Sequence, residues 1–576
     1  MLSRPSKLSL YATLIAALGI VFAIVNRFVQ DDAYISFRYA RNLSDGLGLV
    51  WNQGERVEGY TNFLWTVLMA PAFVLKCDVV LWSYLLSIAS FITTLCLLWQ
   101  LSKRLIGDDG TSSWCVPLLA PLVLMSTNYS ITSYATGGLE TAFVTMLVML
   151  SAWLLSFDQN EDSWLSWWRL AAAGLVSAAA ILTRMDSVLL LAPFWLAAWL
   201  VVPDRFFKFW TNGRRQLFLG ALVASVICLV WLLWRHCYYG YWLPNTFLIK
   251  GKVSPVRGMC WLMAFVLMYG WWILPLGLLA GRRGKCSEAV ACGLAGRRPF
   301  VRALVSASVI WLTYVVMMGG DFMEFRMLMP SLPFVCLLLG VAMKTISLQK
   351  WRRLLTTMVV FVAVLGTVGL PRWWPLRLFQ PIWLLKSFSV EWKEYAEELV
   401  KILGADAHDV KIAVSPAGII PFTTGLPAFD NLGLNTREVA VSGADIPPAH
   451  RWLGNWPGHT KIATWEQLEA AGVNLVINNP WIVPTSKIPE ILGKLKVDAD
   501  GHPDPDSINA AFPFLHVALS PTAKPRLIAL PYPGNQSWLM LYLKPHEAVD
   551  RALAKAYPQV GVSTGVHDAS LRHESP

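Results

Sequence analysis

Residues 8–40 read LSLYATLIAALGIVFAIVNRFVQDDAYISFRYA, and the reading of the whole chain turns on this stretch. Leu8 to Phe28 is long enough to span a bilayer, which takes about 20 apolar residues. Two adjacent carboxylates, Asp31 and Asp32, follow almost at once. The pair therefore sits at a membrane surface, where charge persists only if something uses or solvates it. No small-residue cleavage site precedes Asp31, and the segment is long for a signal sequence, so it reads as a retained anchor.

The rest of the chain agrees with a membrane setting. Of its 576 residues 55% are hydrophobic and 15% charged, and the mean hydropathy is +0.48. A soluble chain would carry about 25% charged residues. The 29 Trp and 34 Pro fit the same class, because Trp favours membrane interfaces and Pro is tolerated in spanning helices. The net charge of +11 resides largely in short loops between apolar runs, so it reads as a topology signal and not as a nucleic-acid surface. All nine Cys lie between Cys77 and Cys336 with no metal-ligand spacing, and eight of nine His lie beyond residue 400. His408, His450 and His459 are unclustered and read as surface residues.

Apolar runs recur near 8–28, 60–101, 114–128, 139–156, 167–183, 187–203, 217–235, 258–281, 301–318, 327–345 and 354–370. Arg4 and Lys7 place the N-terminus in the cytoplasm. The loops carrying Arg205, Lys208, Arg214 and Arg215, then Arg282, Arg283, Lys285, Arg297 and Arg298, then Lys344, Lys350, Arg352 and Arg353 join it there. Run 60–101 breaks at Lys76-Cys77-Asp78; one net crossing there keeps the later loops in register. The count is then about eleven crossings, and every polar-rich loop faces the extracytoplasmic side. From residue 371 the texture changes. Trp373–Leu385 reads as an interfacial linker, Glu391–Leu403 as a helix, and Lys411–Ser415 and Asn474–Asn478 as buried strands. The expected organisation is a helical membrane module over 1–371, a linker over 372–390 and an extracytoplasmic α/β domain over 391–576 with a frayed end.

The loop after the first segment carries the chemistry. If residues 32–43 are helical, Tyr34, Arg38 and Arg41 share a face, and Asp31 or Asp32 acts as N-cap. The bland alternative is that both carboxylates only cap this helix and pair with Arg38 or Arg41. A helix needs one cap, however, which leaves one carboxylate for proton transfer or a cation.

The loop also carries a resemblance. Asp31-Asp32-Ala-Tyr-Ile-Ser-Phe-Arg38, Gly48-Leu-Val-Trp-Asn52 and Gly54-Glu55-Arg56-Val-Glu58-Gly59-Tyr60-Thr61-Asn62 resemble the first outer loop of bacterial GT-C glycosyltransferases. The resemblance is to the group of terminal and pilin arabinofuranosyltransferases and their flagellar-motor-control relatives. Leu139-Glu140-Thr141, Thr183-Arg184-Met185-Asp186, Leu243-Pro244-Asn245-Thr246, Gly320-Asp321-Phe322 with Arg326, Ala417-Gly418 and Asp430-Asn431 extend it over most of the chain. Two stretches depart from it: Met185 stands where family members have Pro, and Gly137-Gly138 replaces the usual Ser-Gly.

The resemblance implies a polytopic GT-C transferase of the bacterial cytoplasmic membrane. It implies a sugar, arabinofuranose first, taken from a polyprenyl-phosphate donor to an envelope glycan or protein acceptor. The carboxylate near the anomeric carbon is then Asp31 or Asp32, with Asp31 first. Arg38, Arg41, Arg184, Arg326, Lys250 and Lys252 are the cations available for the donor phosphate, and each also reads as an interfacial anchor. Tyr34, Glu58, Tyr60, Asn62, Glu140, Asn245 and Asp321 are the substrate-contact candidates. Tyr34 and Tyr60 also read as interfacial aromatics, Glu140 as a helix-start carboxylate and Asn245 as a turn residue. The sequence requires no metal; an ion on that face would take oxygen ligands, as Mg, Mn and Ca do. A carrier of lipid-linked sugar and a non-catalytic envelope or motor-associated protein on the same scaffold are the competing readings.

Overall fold

The computed structural model describes residues 7–107, 114–156, 166–201, 212–250, 253–281, 297–369, 378–446, 455–496, 503–512 and 515–556. Arg205, Lys208, Arg282, Arg283, Lys285, Lys252, His450 and the frayed end expected at the C-terminus lie outside the described residues. The membrane part is helical: α1 Lys7–Val25, α2 Asp31–Ser44, α3 Phe63–Val74, α4 Val79–Ile106, α5 Val116–Thr127, α6 Tyr129–Tyr134, α7 Thr141–Leu154, α8 Trp167–Thr183, α9 Val188–Val201, α10 Asn212–Tyr239, α11 Asn245–Lys250, α12 Pro255–Met268 and α13 Ile273–Gly281. It continues with α14 Arg298–Met317, α15 Leu332–Lys344 and α16 Gln349–Val368.

Among the described residues, α1, α4, α10, α14 and α16 are long and apolar enough to cross a membrane, and α12 with α13 makes a sixth candidate bent by 72°. Residues 258–281, expected as one run, are thus broken, at Tyr269–Trp272. The 60–101 run is two helices. Pro71 lies inside α3, Lys76 takes a left-handed φ of 53°, and the Asp78 side chain caps α4 by accepting the Leu81 amide at 2.7 Å. With 12 residues α3 is only about 18 Å long, against about 42 Å for α4. The helices pack through small residues, as lipid-embedded helices do. A Cβ on Gly174 of α8 would lie 2.2 Å from the Gly220 carbonyl oxygen of α10.

The C-terminal unit starts with α17, Ile382–Leu403, which runs unbroken through the expected linker boundary because Ile382 and Leu385 bury against the membrane helices. A five-stranded sheet follows in the order β2-β1-β5-β8-β7. Its strands are β1 Ile412–Val414, β2 Ala428–Asp430, β5 Leu475–Pro484, β7 Arg526–Tyr532 and β8 Gln536–Tyr542. β1 is parallel to β2 and β5, and β8 runs antiparallel to β5 and β7. A small sheet of β3 Ala444–Asp445, β4 Lys461–Thr464 and β6 Val517–Ala518 lies beside it. The short helix α18, Ile419–Thr424, joins β1 to β2.

The apolar core of this unit is shared with the first loop. Ile35, Tyr39, Trp51 and Tyr60 pack in one buried cluster with Leu399, Leu403, Ile412, Leu475 and Trp538. Each large apolar side chain so buried contributes about 1.5–3 kcal/mol. The loop also covers the open edge of the sheet, an otherwise sticky feature. Asn52 pairs with the edge strand β2 as a peptide would, donating to Ala428 O at 2.7 Å and accepting from Ala428 N at 3.1 Å.

Candidate active site

The helix expected over 32–43 is observed as α2, but neither carboxylate caps it. Gln30 is the N-cap, its side chain accepting from the Asp32 amide. That frees the two neighbours to point different ways. Asp31 turns to the C-terminal unit, where its carboxylate accepts from Gly418 N at 3.1 Å and Ile419 N at 2.7 Å. Burial pushes the Asp31 carboxyl up to about 7, and the Ile419 amide pulls the other way. Asp32 turns to a cavity of about 490 Å³ between the helical part and the C-terminal unit.

The cavity wall gathers polar and charged side chains from six segments. Asp32 and Ser36 come from α2, Asn62 from the start of α3, Glu140 from the start of α7, Arg184 and Asp186 from the α8–α9 turn, Lys250 from the end of α11, and Asp321 and Arg326 from the turn after α14. Arg184 grips Asp186 through two nitrogens, at 3.0 and 2.6 Å, and reaches Glu140 at 3.0 Å. Asn62 donates to the other oxygen of Glu140 at 3.0 Å. Arg326 binds Asp321 through Nε at 2.8 Å. Among the described residues its terminal nitrogens meet no protein acceptor.

Asp32 and Lys250 differ from the others. Neither side chain is in an ion pair among the described residues. Burial raises Asp32 above the usual carboxylate range while Lys250 and Arg326 oppose the shift; burial lowers Lys250 while Asp32 opposes it. Each is a poised group whose largest opposing charge is the other, with Arg326 helping Asp32 and Asp321 helping Lys250. The cavity also has an apolar flank of Val188, Leu189, Phe247 and Met318, of which Val188 and Phe247 reach the exterior. Leu434 and Pro457 close it from the C-terminal unit.

Eight of the sequence candidates therefore meet at one cavity: Asp32, Tyr60, Asn62, Glu140, Arg184, Lys250, Asp321 and Arg326. Six do not, for identifiable reasons. Asp31, the first choice as base, is held by the Gly418 and Ile419 amides and is not in the cavity wall. Arg38, expected at the phosphate, gives its guanidinium to Trp51 O, Pro421 O, Leu426 O and Asn52. Arg41 donates to Phe422 O at 2.6 Å and lies 3.8 Å over the Phe422 ring. Tyr34 packs edge-on against Phe37 and Phe422. Glu58 is buried in an ion pair with Arg235 at 2.6 Å, and Asn245 accepts from Arg437 at 3.0 Å. Sequence reasoning missed Tyr314, whose hydroxyl donates to Asp186 at 3.2 Å from the last turn of α14, where no charge pattern marks it.

His459 is a further correction. It is half-buried, its ring 5.1 Å from Phe322, and desolvation pushes its pKa down to about 4. Among the described residues no group of three or more His, Cys, Asp and Glu is arranged to hold a metal ion. Of the four cavity carboxylates, three are already bound by arginine. The donor set does not fit a resident divalent cation.

Comparison with known proteins now bears on this geometry. No family model matches. A terminal beta-(1→2)-arabinofuranosyltransferase of Corynebacterium glutamicum is 28% identical over 394 residues, 61% of this chain and 54% of that protein. The chain is similar to terminal arabinofuranosyltransferases. The Mycobacterium tuberculosis enzyme of the same description is 28% identical over 347 residues, 56% of this chain and 53% of the relative. The chain thus spans about half the length of the curated relatives it matches. Apo ArnT from Cupriavidus metallidurans has the same fold, with a TM-score of 0.50 at 13% identity, over 74% of this chain and 86% of that one. The fold is therefore of the GT-C type expected from the first loop, a multi-pass helical membrane part with a C-terminal sheet unit.

Proposed function

We propose that the protein is a membrane glycosyltransferase that moves a sugar, arabinofuranose in the first instance, from a polyprenyl-phosphate donor to an envelope glycan or protein acceptor. The observation that carries this is the pairing of an uncommitted carboxylate, Asp32, with Lys250 and the free edge of Arg326 in a cavity with one apolar flank. That flank suits a prenyl chain entering from the bilayer. Lys250 and Arg326 meet the donor phosphate, Arg326 with two parallel donors. The acceptor hydroxyl lies against Asp32, which takes its proton as the oxygen attacks the anomeric carbon. The bond from that carbon to the phosphate oxygen breaks, and polyprenyl phosphate leaves with its new charge compensated by the two cations. One base and one displacement invert the anomeric configuration.

On the same reading the N-terminus is cytoplasmic, and the cavity and C-terminal unit face the outer side of the cytoplasmic membrane. Residues 1–371 form the catalytic module and 391–576 the outer domain, with 372–390 between them and α17 carrying the connection. The test is transfer by purified protein from synthetic polyprenyl-phosphate sugars to oligosaccharide acceptors. Asp32→Asn should lower kcat by about 10²–10⁴-fold, the usual contribution of a positioned base. Undiminished transfer by that variant would overturn the assignment of the base, and wild-type protein inert toward every lipid-linked sugar would overturn the activity.

A further inference from the structure

The two carboxylates that open α2 are neighbours in sequence and divided in space. Asp32 faces the cavity. Asp31 is 7% exposed and spends both oxygens on backbone amides of the C-terminal unit, 387 and 388 residues away. The contact is close on both sides. A Cβ placed on Gly418 would lie 1.9 Å from the Asp31 carbonyl oxygen and 2.9 Å from its Oδ1, so only glycine admits the approach. On the opposite side α2 is fixed by Gln30, whose amide donates to Gly137 O at 3.2 Å. Two to three turns on, Arg38 and Arg41 tie the same helix to Pro421, Phe422 and Leu426.

We propose that Asp31 is a positioning residue: its contact with the Gly418 and Ile419 amides sets the rotation of α2, and so holds the Asp32 carboxylate in the cavity. The inference deepens the transferase reading and rests on it for the kinetic consequence, though not for the coupling itself. A helix residue is aimed by the rotation of its helix about its own axis. Two adjacent residues lie about 100° apart on that axis. Clamping Asp31 against the C-terminal unit therefore fixes the direction of Asp32, and no separate contact to the Asp32 side chain is needed. The arrangement also makes the carboxylate available only when the C-terminal segment 418–419 is seated.

The contact can be broken from either end. Asp31→Asn replaces an acceptor with an amide group that opposes one of the two N–H donors. Gly418→Ala leaves the first loop untouched and forces the backbones apart. Both variants should lower kcat by about tenfold to a hundredfold, the scale of a misplacement of about 1 Å, with donor KM changed less than threefold. The acid limb of the pH–rate profile should persist in both, because it belongs to Asp32. Hydrogen exchange in detergent gives a readout independent of turnover: Asp31→Asn should speed exchange in peptides covering 32–40 and 418–424 together. Three results would overturn the inference. One is normal kcat per folded molecule in both variants. Another is loss of the acid limb in Asp31→Asn with a normal Gly418→Ala, which would make Asp31 the base. The third is exchange that stays slow in 418–424 when Asp31 is replaced. A wild-type protein without transferase activity would refute the functional reading, while the exchange arm would still decide the coupling.

Discussion

Replacing Glu58 with Gln should destabilise the protein by about 3–5 kcal/mol, the cost of leaving one member of a buried ion pair uncompensated. Glu58 belongs to the first-loop pattern that reads as substrate-binding, yet it is 7% exposed and pairs with Arg235 of α10 at 2.6 Å, the arginine side chain being 2% exposed. Among the described residues no other carboxylate pairs with the guanidinium. Its remaining contacts are the Met185 sulfur at 3.8 Å and the Trp231 ring, with the centroid 5.5 Å away, and Nη2 has no partner there. Arg235→Met should cost a similar amount by stranding Glu58. The double variant Glu58→Gln/Arg235→Met removes both charges together and should cost less than the sum of the two single variants, by a coupling energy of about 2–3 kcal/mol. Tryptophan-fluorescence unfolding of all four proteins in detergent measures the cycle, with donor and acceptor KM taken alongside. A Glu58→Gln protein as stable as wild type but with a raised KM would refute this reasoning and return Glu58 to the substrate.

Other tests follow from single contacts. Gly174→Ala should lower thermal stability by about 1–3 kcal/mol, because its Cβ would sit 2.2 Å from Gly220 O and push α8 from α10; an unchanged melting temperature would show that the crossing has slack. His459 is neutral when folded, its pKa depressed to about 4 by burial, with His516 and Lys250 adding to the effect. The unfolded chain takes the proton first, near 6.5, so His459 contributes stability that is lost as pH falls from about 6.5 to about 4, up to about 3 kcal/mol. In His459→Gln that part of the pH dependence should vanish, and a melting curve that keeps its full acid slope would exclude the account. Arg326→Lys keeps the charge near Asp321 but loses the planar fork, so donor KM should rise about tenfold with a smaller change in kcat; equal affinity would show that the phosphate is held elsewhere.

How far the sequence could be read depended on whether a feature was local. The α2 helix was legible from spacing, and the break before α4 from Lys76-Cys77-Asp78, because a positive φ and an Asp cap are written within a few residues. The strands expected at 411–415 and 474–478 appear as β1 and β5 because short apolar runs ended by polar residues have few other solutions. Glu140, Arg184, Asp321 and Arg326 were recognisable as site candidates because charge at the end of an apolar segment is costly unless paired. What stayed hidden was the division of labour within the first loop. Arg38 looks like a phosphate ligand until the chain returns 383 residues later and presents Pro421 O. The same holds for Asp31 and Arg41, whose partners are set by tertiary return and leave no mark nearby.

The hydrogen bonds from the first loop to segment 418–428 fall on the main chain of that segment. Asp31 takes the amides of Gly418 and Ile419, Arg38 the carbonyls of Pro421 and Leu426, Arg41 that of Phe422, and Asn52 both groups of Ala428. These hydrogen bonds follow the course of a backbone, while the Phe422 ring and the shared apolar cluster add demands on side chains. A foreign C-terminal unit could thus be grafted onto this membrane part, given a glycine at the position of Gly418, the same trace through 418–428 and apolar partners for Ile35, Tyr39, Trp51 and Tyr60. The seam is accordingly the natural place to exchange one half of the molecule while leaving the other in working order.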